Sequence, residues 1–262
     1  MSCGAEGYRL SALSSRPELA AVVFDVDGTL VDSERDGHRV AFNLAFEQFG
    51  LPYRWDEAEY GDLLHVTGGQ RRIDGYLASQ GVEAAEREDL APALHARKTE
   101  IIQTLVDEGR IEVRAGAERL LRELSHDDVR LAVATTGSRS WVDRLLHRLL
   151  PDIDFQVVVT GDEVANRKPD PEAFVVALQR LAAGPENAVA VEDSGEGLSS
   201  AQGAGLRCAV VVNEYTAGHD LATADLVLDG FGEPDAPAEV LADRRSTGCS
   251  GVLDVATLRQ LL

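Results

Sequence analysis

The run Val22-Val23-Phe24-Asp25-Val26-Asp27-Gly28-Thr29-Leu30 constrains this chain more than any other segment. Its apolar first half reads as a strand buried on both faces, as in parallel sheets covered by helices. It then breaks into two carboxylates one residue apart. In open α/β sheets the ligand crevice lies beyond the carboxyl ends of the strands, so Asp25 and Asp27 are expected at the mouth of a pocket. Alternation along an extended chain turns both side chains to one side, where two negative charges crowd unless a cation or an ionic ligand offsets them. Gly28 permits the sharp turn that follows.

Apolar strands and amphipathic helices then alternate, with one long helical interruption. Val40, Ala41, Leu44, Ala45 and Phe49 recur at helical spacing, and Gly50 and Pro52 close that segment. Further helices are predicted at 56–64, 70–80 and 86–108, with no strand between them. Helix 117–124 leads into strand Val129–Ala134, and helix 139–149 leads into strand Phe155–Val159. Helix 171–182 then leads into strand Ala188–Val191, and helix 195–203 into strand Cys208–Val212. This order predicts an α/β fold, a doubly wound parallel sheet with right-handed crossovers, carrying a smaller all-helical domain inserted after the first strand. Residues 1–34 and 112–262 are assigned to the core, and 35–111 to the insertion. The tail beyond Gly230 is rich in Pro and Asp and ends in a short apolar helix at 253–262.

Composition narrows the partners. A chain of 262 residues with 44% hydrophobic residues can build a core of ordinary size. Its formal charge of −20 opposes non-specific binding to nucleic acid or anionic membrane, leaving small solutes. An anionic solute is admitted only where local cations offset that sign. Cys3, Cys208 and Cys249 are odd in number and widely spaced, which fits a reducing compartment and no cysteine metal site. The stretch Met1–Ala20 includes Arg9, Arg16 and Pro17 and lacks an apolar run of signal-peptide length, so a cytoplasmic protein is expected; a monomer is the separate expectation for its assembly.

Three later strands end in groups suited to phosphate chemistry. Thr135-Thr136-Gly137-Ser138 places hydroxyls and free N–H groups at a strand end, fitting phosphate oxygens or a helix cap. Asn166-Arg167-Lys168-Pro169-Asp170-Pro171 presents a lysine able to offset Asp25 and a phosphoryl group. Glu192-Asp193-Ser194 supplies a second acidic pair. Two acidic pairs leaving one sheet edge make a hard-cation site, with oxygen ligands favouring Mg²⁺. Ser194 lies outside any G-x-S-x-G elbow, and Gly203-Ala204-Gly205 precedes a strand, the wrong order for a dinucleotide-binding turn.

In this order, Asp25-Val26-Asp27-Gly28-Thr29, Thr135, Lys168-Pro169 and Glu192-Asp193 resemble the motifs of the haloacid dehalogenase (HAD) superfamily of phosphohydrolases. The resemblance covers about 21–212, and the helical insertion looks like that superfamily's small cap. Glu34, His38, Arg39, Ala41-Phe42-Asn43, Thr67-Gly68-Gly69, Arg72 and Ala132-Val133-Ala134-Thr135-Thr136 narrow it to CbbY-like sugar-phosphate phosphatases and the related β-phosphoglucomutases. The resemblance implies that Asp25 attacks phosphorus to form an aspartyl-phosphate, and that Asp27 protonates the leaving sugar oxygen and later takes a proton from water. It implies Mg²⁺ on the Asp25 carboxylate, the Asp27 carbonyl and Asp193, with Glu192 holding a metal-bound water, and Thr135 and Lys168 on the remaining phosphate oxygens. A dehalogenase has no leaving alkoxide to protonate, so the second acid Asp27 argues against that activity.

The insertion must choose the substrate, a phosphorylated sugar. Glu34 and His38 are placed to meet sugar hydroxyls or a second phosphate, with Gly69 and Thr136 beside them. Arg71, Arg72 and Arg114 are candidates to grip a distal phosphate through forked donors. Gln70 stands where similar phosphatases often carry a lysine, which bears on a bisphosphate such as xylulose 1,5-bisphosphate. A β-phosphoglucomutase-like phosphotransferase is the alternative, and a non-catalytic sensor of phosphorylated metabolites is a third reading.

Overall fold

Strand β1 (Ala21–Phe24) is wholly buried because its side chains alternate between two apolar layers. Val22 and Phe24 enter one layer, Ala21 and Val23 the other. The computed structural model describes residues 18–262 except Thr67, so Cys3, Arg9, Arg16 and Pro17 lie outside the described residues. Around β1 the described residues build one seven-stranded sheet of order β3-β2-β1-β4-β5-β6-β7. Strands β2 (Arg130–Ala134), β3 (Val157–Val159), β4 (Ala188–Glu192), β5 (Arg207–Val211) and β6 (Leu226–Leu228) run parallel to β1. Strand β7 (Val240–Asp243) closes the edge antiparallel. The chain steps outward from β1 to β3 and then crosses to β4, so the switch point falls beside β1.

Helices cover both faces, which is what lets the strands be continuous apolar runs. On the Val22 and Phe24 side pack α5 (Ala117–His126), α6 (Arg139–Leu149) and α9 (Val255–Leu261). On the other side pack α7 (Glu172–Leu181) and α8 (Gly195–Gly203). The predicted parallel sheet is thus present, with three differences at its margins. Strand β3 begins at Val157, not Phe155, because the Gln156 side chain accepts from the Leu131 N–H at 2.7 Å in place of a backbone carbonyl. Strands β6 and β7 were not expected: one is three residues long and the other is a half-exposed edge with no apolar alternation to mark it. The helix expected at 253–262 is α9.

Between β1 and α5 the described chain is helical. A π-helical turn, Glu34–His38, runs into α1 (Arg39–Gln48), followed by α2 (Glu57–Leu63), α3 (Gly69–Ser79) and α4 (Ala84–Asp107). The expected boundaries differ from these by one or two residues. The buried face of α1 is Ala41, Phe42, Ala45 and Phe46, whereas Phe49 is 41% exposed because the helix ends at Gln48. Phe42, Phe46, Trp55, Tyr60 and Tyr76 stack into an aromatic nest. Asn43 pins it by exchanging two 2.8 Å hydrogen bonds with the Trp55 backbone. These rings belong to the same apolar cluster as Phe24 and Leu120, so the insertion packs continuously onto the sheet's helical layer. No helix among the described residues is long and apolar enough to cross a membrane.

The tail is fastened to α5. Arg119 pairs with Glu233 at 3.0 Å and donates to the carbonyls of Gly232 and Leu253. Gly116, just before α5, has φ of +84°, and a Cβ there would lie 2.4 Å from the Gly232 carbonyl oxygen. Gly116→Ala is therefore expected to cost about 2–3 kcal/mol through backbone strain and collision with the tail. Urea unfolding of the variant checks this, and an unchanged midpoint would refute it.

Candidate active site

Register explains why residues far apart in sequence meet. Phe24 lies opposite Val133 on one side and Val191 on the other, so the residues that follow all three leave the sheet at one edge. Those residues are Asp25, the pair Ala134-Thr135, and the pair Glu192-Asp193. Asp25, Glu192 and Asp193 are all buried, and each offers a carboxylate oxygen within 4.8 Å of the others. Lys168, on the loop before α7, enters from the side: its Nζ donates to Asp25 Oδ1 at 2.7 Å and to Glu192 Oε1. The Phe174 ring lies 4.9 Å beneath that ammonium.

The charges do not balance. Three buried carboxylates face one ammonium, and burial raises the proton affinity of Asp25 and Asp193, with their mutual repulsion and that of Glu192 adding to it. Lys168 is held charged, well above its ordinary value, because Asp25 and Glu192 outweigh its own desolvation. A divalent cation would offset the surplus negative charge, and an all-oxygen donor set suits Mg²⁺. Glu192 is enclosed most tightly. It accepts from the Asp193 N–H at 3.2 Å and faces Gly197 of α8, where a Cβ would sit 1.9 Å from Oε2.

Asp27 has a different environment. Ser33 Oγ donates to its Oδ1 at 2.5 Å, His38 Nε2 lies 3.1 Å from the same oxygen, and Trp141 Nε1 donates to both oxygens at 3.3 and 3.4 Å. Burial alone would raise Asp27, but His38, Ser33 and the charge of Lys98 hold it down to about 2. Lys98 Nζ is 2.7 Å from His38 Nδ1. An ammonium can only donate, so Nδ1 accepts and Nε2 carries the proton given to Asp27. Burial lowers Lys98 itself to about 8. Neighbouring aspartates on one loop are thereby pushed in opposite directions.

The other predicted residues divide into those that face the pocket and those that do not. Glu34, Arg72 and Thr136 line a cavity with Asp25, Asp27 and Lys168, and Gly69 and His38 line its continuation. Glu34 accepts from Tyr60 Oη at 2.5 Å, and Arg72 donates to the same hydroxyl at 3.1 Å. Thr135 is buried at the end of β2, its hydroxyl accepting from the Gly137 N–H at 3.1 Å. Arg71 and Gln70 are exposed and line a neighbouring cavity with His95 and Arg167. Arg114 is a correction: its guanidinium is occupied by the carbonyls of Gly28, Val211 and Val212, so it is not free to grip a phosphate. Thr67 lies outside the described residues.

Sequence reasoning missed Ser33, Lys98, Trp141 and Asn213. Asn213 Nδ2 donates to Asp193 Oδ2 at 2.7 Å, and Asn213 follows shortly after β5 at the same sheet edge. Lys98 carried a usable signal. It falls within the buried stripe Leu94, Lys98, Ile101, Ile102, Leu105 of α4, where a charge needs a reason. The chain moreover contains only two lysines, Lys98 and Lys168, and both are buried in this site.

A family model for haloacid dehalogenase-like hydrolases matches residues 19–205. The chain belongs to that family and is a phosphatase of it, in the branch of CbbY-like and β-phosphoglucomutase-like proteins. It is 42% identical to Protein CbbY of Cereibacter sphaeroides over 222 residues, covering 82% of this chain and 94% of that protein. Two crystal structures of CbbY from Rhodobacter sphaeroides share 41% identity, each covering 81% of this chain and 94% of theirs. One, in complex with phosphate, has a TM-score of 0.73. The other, a mutant in complex with xylulose-(1,5)bisphosphate, has a TM-score of 0.74.

Two outcomes follow from the carboxylate cluster. Gly197→Ala must displace Glu192 and strip Lys168 of one partner, which is expected to cost about 3 kcal/mol or more, read by urea unfolding. A neutral substitution there would mean that Glu192 is not held as described. Second, burial makes Asp25 and Asp193 hold a proton more tightly than ordinary carboxyls, and a cation binds the ionised form. A divalent cation held there would have to overcome that proton affinity, so Mg²⁺ affinity is expected to rise with pH, by roughly tenfold per unit for each proton released. Calorimetry in buffers of different ionisation enthalpy measures that release, and pH-independent binding would contradict it.

Proposed function

We propose that this chain is a Mg²⁺-dependent phosphatase of a phosphorylated sugar that works through an aspartyl-phosphate on Asp25. The observation that carries the reading is the buried cluster of Asp25, Glu192 and Asp193 around Lys168, beside an Asp27 whose environment differs. An Asp25 oxygen attacks phosphorus, the bond from phosphorus to the sugar oxygen breaks, and Asp27, ionised in the free site, relays to that oxygen a proton taken up when substrate binds. Water then attacks the phosphorus and gives its proton to Asp27, and the bond to Asp25 breaks as phosphate leaves. Asp25, Asp193 and the Asp27 carbonyl would hold Mg²⁺, with Glu192 behind them, and the ion would neutralise charge shared between nucleophile and phosphate. Ser33, His38 and Trp141 stabilise ionised Asp27, the form required to accept the proton from water.

Residues 35–111 act as the cap that selects the sugar, with Glu34 at its junction with the core and His38 in its first turn lining the cavity beside Asp27. Arg72 is a buried guanidinium lining the same cavity, with no carboxylate partner among the described residues, so it suits a second phosphate. Exposed Gln70 lies outside that cavity, so the missing lysine leaves Arg72 in place. The xylulose bisphosphate bound by a CbbY structure makes a sugar bisphosphate the first substrate to test.

A sugar-phosphate panel should release phosphate with Mg²⁺ and none with EDTA, and bisphosphates should be preferred over monophosphates. Asp25→Asn should lower turnover by roughly ten-thousandfold. No phosphate release under any metal condition would reject the proposal. Isomerised sugar phosphate without free phosphate would replace it by phosphotransfer.

A further inference from the structure

We infer that Arg114 is a positioning residue for the divalent-cation site, acting from the connector between α4 and α5. The inference rests on the reading that Asp25, Glu192 and Asp193 hold a divalent cation. Arg114 Nη1 donates to the Gly28 carbonyl at 2.6 Å and the Val211 carbonyl at 2.8 Å, and Nη2 donates to the Val212 carbonyl at 2.7 Å. One planar fork thus joins the turn after Asp27 to the end of β5. Both segments border Asp193. A Cβ on Gly28 would lie 2.4 Å from Asp193 Oδ2, so the bare Gly28 backbone forms part of the wall around that carboxylate. Asn213, the residue after Val212, donates to Asp193 Oδ2 at 2.7 Å and to the Gly28 carbonyl at 3.3 Å. Arg114 and Asn213 therefore share the Gly28 carbonyl, and Asn213 passes that placement to Asp193.

The same residue is tied to the insertion's return path. The Arg114 N–H donates to the Leu30 carbonyl at 2.9 Å, and Val113 bridges to Val31. Val31 in turn accepts from the Gly28 N–H at 2.8 Å, fixing the plane of the peptide that carries the Asp27 carbonyl. Charge alone does not account for Arg114. A guanidinium near Asp193 repels a bound cation, so its contribution to metal binding lies in the three carbonyls it aligns.

Geometry and charge separate in two variants. Arg114→Lys keeps the charge and loses the fork, whereas Arg114→Ala loses both. Mg²⁺ binding to the substrate-free protein, measured by calorimetry beside the metal-free melting temperature, should weaken roughly tenfold in Arg114→Lys. Asn213→Ala should weaken it similarly, and the double variant should be no weaker than the poorer single one, because both act through the Gly28 turn. Arg114→Lys binding Mg²⁺ within twofold of wild type would overturn the inference, as would tighter binding by Arg114→Ala. If Arg114→Ala fails to fold, the Lys and Asn213→Ala arms still decide. Absence of sugar-phosphate turnover leaves these outcomes intact, whereas a wild-type protein that binds no divalent cation overturns both the inference and the cation reading beneath it.

Discussion

The bond from Lys168 to Asp25 and Glu192 is the interaction on which the rest of the site depends. Three carboxylates buried together would each cost several kcal/mol to keep ionised, and one ammonium offsets only part of that charge. The fold accepts the arrangement because parallel strands deliver the carboxylates on backbone already committed to the sheet. Phe24, Val133 and Val191 are in register, so the following residues cannot separate without breaking ladder hydrogen bonds. Gly28 and Gly197 complete the enclosure, since a methyl group at either would strike Asp193 or Glu192.

Much of this was legible in the sequence because the core obeys strong, local signals. The strands β1, β2, β4 and β5 are apolar runs bounded by helices, and topology alone then places Asp25, Thr135, Glu192 and Asp193 at one edge. The margins were not legible. Strand β6 has three residues, and β7 is an antiparallel edge with few apolar residues, so neither carries a period. Arg114 misled for a related reason: its type suggested phosphate, but three carbonyls at the sheet's end needed donors, and a forked cation was the group within reach. Backbone demands of this kind depend on tertiary placement and leave no mark in the local pattern.

The insertion contributes differently. Its helices share one apolar cluster with the layer over β1, and the Phe42, Trp55 and Tyr60 rings stand behind the polar residues that face the pocket. Tyr60 links that nest to the site by donating to Glu34 and accepting from Arg72. Packing thus sets the position of a carboxylate and a guanidinium on the wall of the cavity that Asp25 and Lys168 also line. The π-helical turn at Glu34–His38 belongs to the same logic, because a widened turn re-aims side chains at the junction between loop and helix.

How a chain of net charge −20 can accept an anionic substrate is answered by where its cations are. Its two lysines are both withdrawn from the surface: Lys168 touches Asp25, and Lys98 reaches Asp27 through His38. Arg72 is the buried guanidinium in the same cavity. Solvent screens exposed charges over about 8–10 Å, whereas buried ones act at close range in a weaker dielectric. The surface can therefore remain acidic while Lys168, Lys98 and Arg72 offset part of the negative charge that lines the pocket. The same two lysines separate the aspartates. Lys168 is shared with Glu192 and leaves Asp25 in a cluster still short of positive charge, which a divalent cation would offset. Lys98 acts at one remove, orienting His38 so that Asp27 is held by hydrogen-bond donors. Two identical side chains on one loop acquire distinct chemistry because their cations come from different elements, one from the core before α7 and one from the helical insertion.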